Sequence, residues 1–129
     1  MRIGTLAEAA GTSAKTLRFY EEQGLLPEPE RTASGYRDYG PEMLDRIGFI
    51  HRGQASGLTL AQIREVLDIR DGGIAPCEHV RDLLGHRVAD IDAQIRRLTE
   101  LREVVVRLHD DAVEIDPDSC EPDGVCRYV

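Results

Sequence analysis

SAKTLRFYEEQGLLPEPERTASGYRDY, residues 13–39, decides how the whole chain is read. From Ser13 to Gln23 the residues are strong helix formers, with Leu17 and Tyr20 one turn apart on one side and Lys15, Arg18, Glu21 and Glu22 elsewhere. Gly24 then offers the left-handed cap that ends such a helix. The spacing predicts an amphipathic helix of about three turns.

Working outward, Thr5-Leu6-Ala7-Glu8 has the T-x-x-E form of a capping box, and Gly11 allows a short first helix to end in a tight turn before the second begins. A helix-turn-helix follows, although the same pair is also a common packing motif. Its second helix presents Ser13, Lys15, Thr16 and Arg18 near its N-terminal half, where a recognition helix meets bases and phosphates in the major groove. On the other side of the segment, Pro27, Pro29 and Gly35 punctuate a loop, and Tyr36-Arg37-Asp38-Tyr39 alternates aromatic and charged residues as a short exposed strand does. A helix-turn-helix followed by such a wing reads as a DNA-reading head. The candidate DNA-binding residues are Ser13, Lys15, Thr16, Arg18 and Tyr20 on the helix, with Arg31, Tyr36 and Arg37 on the wing.

The run Thr16-Leu17-Arg18-Phe19-Tyr20-Glu21-Glu22-Gln23-Gly24-Leu25-Leu26, with Arg31, Ser34-Gly35-Tyr36-Arg37 and Tyr39, resembles the N-terminal signature of MerR-type transcription regulators. The resemblance covers residues 1 to about 70. It implies double-stranded promoter DNA as partner, a homodimer joined through a long helix, and RNA polymerase at the same promoter. It also implies activation by bending and untwisting DNA between promoter elements set too far apart.

Charge fits this division of labour. The chain of 129 residues has a net charge of −8, unusual for a DNA binder, but residues 1–56 hold seven basic and eight acidic residues, whereas residues 57–129 hold nine and sixteen. The acid is displaced from the reading head. No signal peptide, lipidation motif or apolar run of about eighteen residues is present, so a cytoplasmic protein without a membrane partner is expected. In that reducing compartment three cysteines are read as metal ligands or free thiols rather than a disulfide framework.

After Gly40-Pro41, where proline suits the first helical position, Met43, Leu44, Ile47 and Ile50 recur at helical spacing. Thr59-Leu60-Ala61-Gln62 is a second capping box and opens a helix with Ile63, Val66 and Leu67 on one side. The segment from Arg70 to Pro76 is a breaker. From Val80 to about Asp111 the apolar residues Leu84, Val88, Ile91, Ile95, Leu98, Leu101, Val105 and Leu108 fall three or four apart. A helix of roughly 45 Å is too long to be covered by a small winged domain, so a second copy in an antiparallel coiled coil is its natural partner. The expected fold is mainly α: a winged helix-turn-helix domain over 1–70, a hinge over 71–76, a dimerisation helix over 77–111 and a metal-binding loop over 112–129.

The loop carries Cys120 and Cys126 among prolines and glycine, and Cys77 stands directly after Pro76 at the start of the long helix. Thiolates are strong ligands for zinc and softer ions, and the positive end of a helix favours the ligating thiolate. Antiparallel pairing sets the start of one helix near the end of the other, so Cys77 of one subunit and Cys120 and Cys126 of its partner form a shared site. Within the resembled family, cysteine at the helix start goes with sensors of divalent zinc, cadmium, lead or mercury, and serine with copper(I) sensors. One departure stands out: relatives place a loop cysteine immediately after the helix, where this chain has Ala112. His79 is the candidate fourth ligand, although two helical residues turn it about 200° from Cys77, and His109 has a similar claim.

Other classes fit less well. Copper(I), or a thiol-reactive or small-molecule signal, remains an alternative input. An apolar ligand pocket, however, needs more than the eighteen residues of the tail. Three cysteines at these spacings do not make an iron–sulfur site. No phosphate-binding glycine loop, zinc-protease motif or nucleophile elbow indicates an enzyme.

Overall fold

A computed structural model describes residues 1–122 and 124–129, and its contacts divide the chain into two units, Met1–Arg87 and Val88–Val129. In the first unit, α1 (Ile3–Ala10) and α2 (Ala14–Glu22) form the helix pair. The wing is a hairpin of β1 (Glu30–Arg31) and β2 (Arg37–Asp38), and α3 (Glu42–Ala55) and α4 (Leu60–Asp71) complete the head. The long helix α5 (Cys77–Val113) runs from the first unit into the second, which ends in a 3₁₀ turn at Pro117–Ser119.

Local chemistry sets most of these boundaries. Gly11, at φ 69° and ψ 33°, takes the left-handed conformation after α1, and Thr12 N–H donates to Ala7 O at 2.9 Å. The chain can therefore turn within three residues. Ser13 Oγ then accepts from Thr16 N–H at 3.1 Å and opens α2, while Gly24, at φ 75°, lets Leu25 N–H return to Tyr20 O. Thr59 and Gln62 make the reciprocal capping box expected for α4.

The expected box at Thr5 does not form. Leu6 N–H donates to Arg2 O, so α1 starts at Ile3 with Arg2 in the extended N-cap conformation and Thr5 already inside the helix. Pro41 is the N-cap of α3 rather than its first residue. β2 is limited to Arg37–Asp38, paired antiparallel to β1 in the register Glu30 to Asp38 and Arg31 to Arg37.

One core serves the head. Leu6, Leu17, Tyr20, Leu25, Tyr39, Ile47, Ile50, Ile63 and Leu67 from α1 to α4 and the intervening loops are buried together. Arg46 is buried with them at 7% exposure. Its Nε donates to Leu25 O at 2.7 Å, and its two terminal nitrogens donate to Asp71 Oδ1 and Oδ2 at 2.7 and 3.0 Å. This guanidinium ties α3 to the end of α4 and to the loop after α2. The second unit differs in kind: on α5 Val88, Ile91, Ile95, Leu98, Leu101, Val105 and Leu108 are exposed in a row, and the helix has no buried residue.

Candidate DNA-reading surface and thiol ligands

The capping of α2 fixes which side chains its first turns show. Ser13 and Thr16 spend their hydroxyls on each other and on the cap, with Ser13 Oγ and Thr16 Oγ1 3.0 Å apart. Lys15 and Arg18 are exposed on the same helix, and among the described residues neither has a carboxylate at ion-pairing distance. Cations left unpaired beside a well-capped helix start are suited to phosphate and base edges.

Tyr20 is a correction. Its exposure is 4%, and its hydroxyl donates to Gln54 Oε1 at 2.9 Å. Burial raises its pKa, so the phenol stays neutral and acts as a core hydrogen-bond donor across to α3. A side chain so placed packs the head instead of reaching a groove.

The wing is held by its own polar groups. Arg31 Nη1 donates to Gly35 O at 2.9 Å, and Thr32 N–H to Tyr36 O at 2.7 Å, which closes the hairpin loop. Arg37 Nη1 donates to Glu21 Oε2 at 2.8 Å, and the Tyr39 hydroxyl donates to Glu21 Oε1. The Tyr39 hydroxyl and the Glu21 carboxylate hold Arg37 firmly in its charged form. Burial, then the Glu21 contact, push the Tyr39 phenol up. Glu21, read in the sequence as an ordinary outward charge of the recognition helix, is thus the bracket between helix and wing.

Arg2 was also missed. Its Cζ lies 4.1 Å from the centre of the Tyr36 ring, which puts a cation on the exposed face of the wing. The cause is in the backbone: Tyr39 N–H donates to Met1 O at 2.7 Å, so the chain entering α1 runs beside β2.

The thiols are placed as follows. Cys77 is the first residue of α5 and is exposed, Cys120 follows the 3₁₀ turn and is half-buried, and Cys126 is exposed; all three are free. In the tail, Asp116 Oδ1 caps the turn by accepting from Asp118 N–H, and the Tyr128 hydroxyl donates to Ile115 O. His79 Nε2 is enclosed, has no hydrogen-bond partner among the described residues, and sits 3.6 Å from Glu65 Oε1 of α4. His109 is well exposed beside Asp110. Among the described residues of one chain, no three His, Cys, Asp or Glu side chains converge as metal ligands. The donor chemistry of the three thiols fits a soft or borderline divalent ion.

A winged helix-turn-helix head joined to a long exposed-seam helix is an architecture of DNA-binding regulators. Residues 1–69 match the family described as MerR HTH family regulatory protein, and residues 44–108 match the MerR DNA-binding family. The mercuric resistance operon regulatory protein of Bacillus cereus is 39% identical over 83% of this chain and 81% of that protein. A transcriptional regulator described as a ZntR homolog, from Haemophilus influenzae, is 32% identical over 92% of this chain and 87% of that protein. The fold is similar to a transcription regulator of Ralstonia metallidurans solved in complex with lead(II), with a TM-score of 0.79, 34% identity and coverage of 93% of this chain and 94% of that one. The chain belongs to the MerR family of DNA-binding transcription regulators. Among the described residues, no helix is long and apolar enough to cross a membrane.

Proposed function

We propose that this protein binds a pseudo-palindromic promoter operator as a homodimer in the cytoplasm and regulates transcription there, with RNA polymerase, in response to zinc, cadmium, lead or mercury. The observation that carries this reading is the uncovered apolar row of α5, from Val88 to Leu108, with a free thiol at its start and two beyond its end. Such a row calls for a second α5, and antiparallel pairing brings opposite ends together. Residues 1–70 then read DNA, 71–76 form the hinge, 77–111 dimerise and 112–129 close the metal site.

On the DNA side, Lys15 and Arg18 reach the major groove with Ser13 and Thr16 setting the helix start, and the wing of Arg31, Tyr36 and Arg37 lies along the backbone. One head reads a half-site and the coiled coil joins two. On the metal side, Cys77 of one subunit with Cys120 and Cys126 of the other present three thiolates. His79, whose Nε2 has no hydrogen-bond partner among the described residues, is the candidate fourth ligand. A bound ion would supply bonds that hold both subunits in one arrangement. Relatives and a solved structure named for mercury resistance and lead binding support a divalent ion as the signal.

Metal titration of the dimer, in competition among zinc, cadmium, lead, mercury and copper(I), tests the site. Cys77→Ser removes one of three thiolates and is expected to weaken binding by at least about tenfold. Equal affinity in Cys77→Ser would leave only a two-cysteine loop and end the intersubunit reading; preference for copper(I) would change the signal.

A further inference from the structure

Two arginine–partner pairs of opposite character meet the wing, Arg37 with Glu21 of α2 and Arg2 before α1 with Tyr36, and they divide the work of binding DNA differently from what their positions in the sequence imply. Arg37 has its guanidinium committed to Glu21 at 2.8 Å, and the same carboxylate takes the Tyr39 hydroxyl. The Arg37–Glu21 pair sums to zero charge and attaches the wing to the recognition helix. Arg2 is exposed, stacks over Tyr36 at 4.1 Å, and among the described residues has no carboxylate at ion-pairing distance. Tyr36 is itself 54% exposed, so cation and hydroxyl are offered together on one face of the wing.

We propose that Arg2 and Tyr36 form a composite clamp for a DNA backbone phosphate, and that Arg37 is a positioning residue that holds the wing against α2 through Glu21. Three features carry this. The backbone bond from Tyr39 N–H to Met1 O holds the residue next to Arg2 alongside the strand that follows Tyr36, so the stack is set by main-chain geometry. Stacking on an aromatic face aims a planar guanidinium while leaving its in-plane N–H donors for phosphate oxygens. A guanidinium already paired with a carboxylate adds little net charge near the polyanion, whereas an unpaired one displaces condensed counterions. The proposal rests on the operator-binding reading above and specifies which wing cation that binding uses.

Salt dependence of operator binding separates the two roles, because its slope counts neutralised phosphates at about 0.9 per phosphate on duplex DNA. For a dimer with one clamp per head, Arg2→Ala should weaken binding and lower the magnitude of the slope by about 1.8, while Arg2→Lys keeps the slope. The double substitution Arg37→Met with Glu21→Gln removes a neutral pair; it should lower affinity by a similar factor at every salt concentration and leave the slope unchanged. Tyr36→Leu should remove most of the advantage of Arg2, so that its effect and that of Arg2→Ala are less than additive. An unchanged slope in Arg2→Ala, or a fall of about 1.8 in the Arg37/Glu21 variant, overturns the proposal. Wild-type protein whose DNA binding shows neither operator preference nor salt dependence would overturn the operator-binding reading itself, and the clamp with it.

Discussion

At the scale of single residues, the head is organised by charges whose partners are far away in sequence. Arg46 occupies a core-facing position between Met43 and Ile50, and a buried guanidinium is stable there only because Leu25 O and both Asp71 oxygens accept from it. Hydrogen bonding to Arg46, offset in part by burial, lowers the Asp71 pKa. Its contribution to stability is therefore complete above the usual carboxylate range and is lost as pH falls through the lowered pKa. Asp71→Asn should destabilise the head by about 1–2 kcal/mol at neutral pH, a modest figure because the carboxylate is half exposed, and should flatten the acid limb of the stability profile. Urea unfolding of the two proteins between neutral and acid pH measures both effects; equal profiles would show the pair to be without consequence. Nothing in the local pattern of α3 marks Arg46 as a core residue, and its partner Asp71 lies twenty-five residues away. The same holds for Glu21, whose partners Arg37 and Tyr39 are sixteen and eighteen residues away. No local pattern records such contacts.

At the scale of elements, the sequence was most readable where a boundary is set by chemistry within a few residues. Gly24 after α2 and the Thr59–Gln62 box before α4 act where they were expected, while Ser13, read as the first helical residue, is the N-cap of α2. Thr5 shows the limit of such a pattern. It has the same T-x-x-E spacing as a box, yet a cap also needs extended backbone at the threonine, and here Arg2 takes that conformation because the strand beside Met1 holds it. The two threonines therefore respond differently to the same change. Thr59→Ala should cost about 1 kcal/mol of stability, whereas Thr5→Ala, inside a helix where alanine is the better former, should be neutral or slightly stabilising. Thermal unfolding of both variants decides between them, and a comparable loss at Thr5 would mean that it caps α1 after all. The candidate metal site lies at the opposite extreme of legibility. Its residue types are readable in Cys77, Cys120 and Cys126, but a coordination shell is a three-dimensional fact that residue type and spacing do not specify.

At the scale of the whole molecule, the question is how binding at thiols becomes a change in transcription. On the proposed reading each subunit carries its DNA-reading residues before the 71–76 hinge and its loop thiols after α5, so an antiparallel dimer would set the thiol site where one subunit's hinge meets the other's tail. Closing the Cys120–Cys126 loop against Cys77 of the partner subunit would favour one setting of the two heads over another. Bending and untwisting promoter DNA costs of order 1–10 kcal/mol, and bonds formed in only one arrangement of the subunits can supply a bias of that size. On this reading the phosphate and base contacts of each head would be kept in both arrangements. Operator affinity should therefore change by less than about tenfold when the ion is added, while distortion of the central base pairs and transcript yield rise together. Footprinting with a probe of DNA distortion, run beside in vitro transcription with and without each divalent ion, measures the two responses on one promoter. Cys77→Ser and the Cys120→Ser, Cys126→Ser double variant should keep the undistorted footprint and lose the rise in transcript. Release of the wild-type protein from its operator on adding the ion would refute this coupling and make the protein a simple repressor lifted by its ligand.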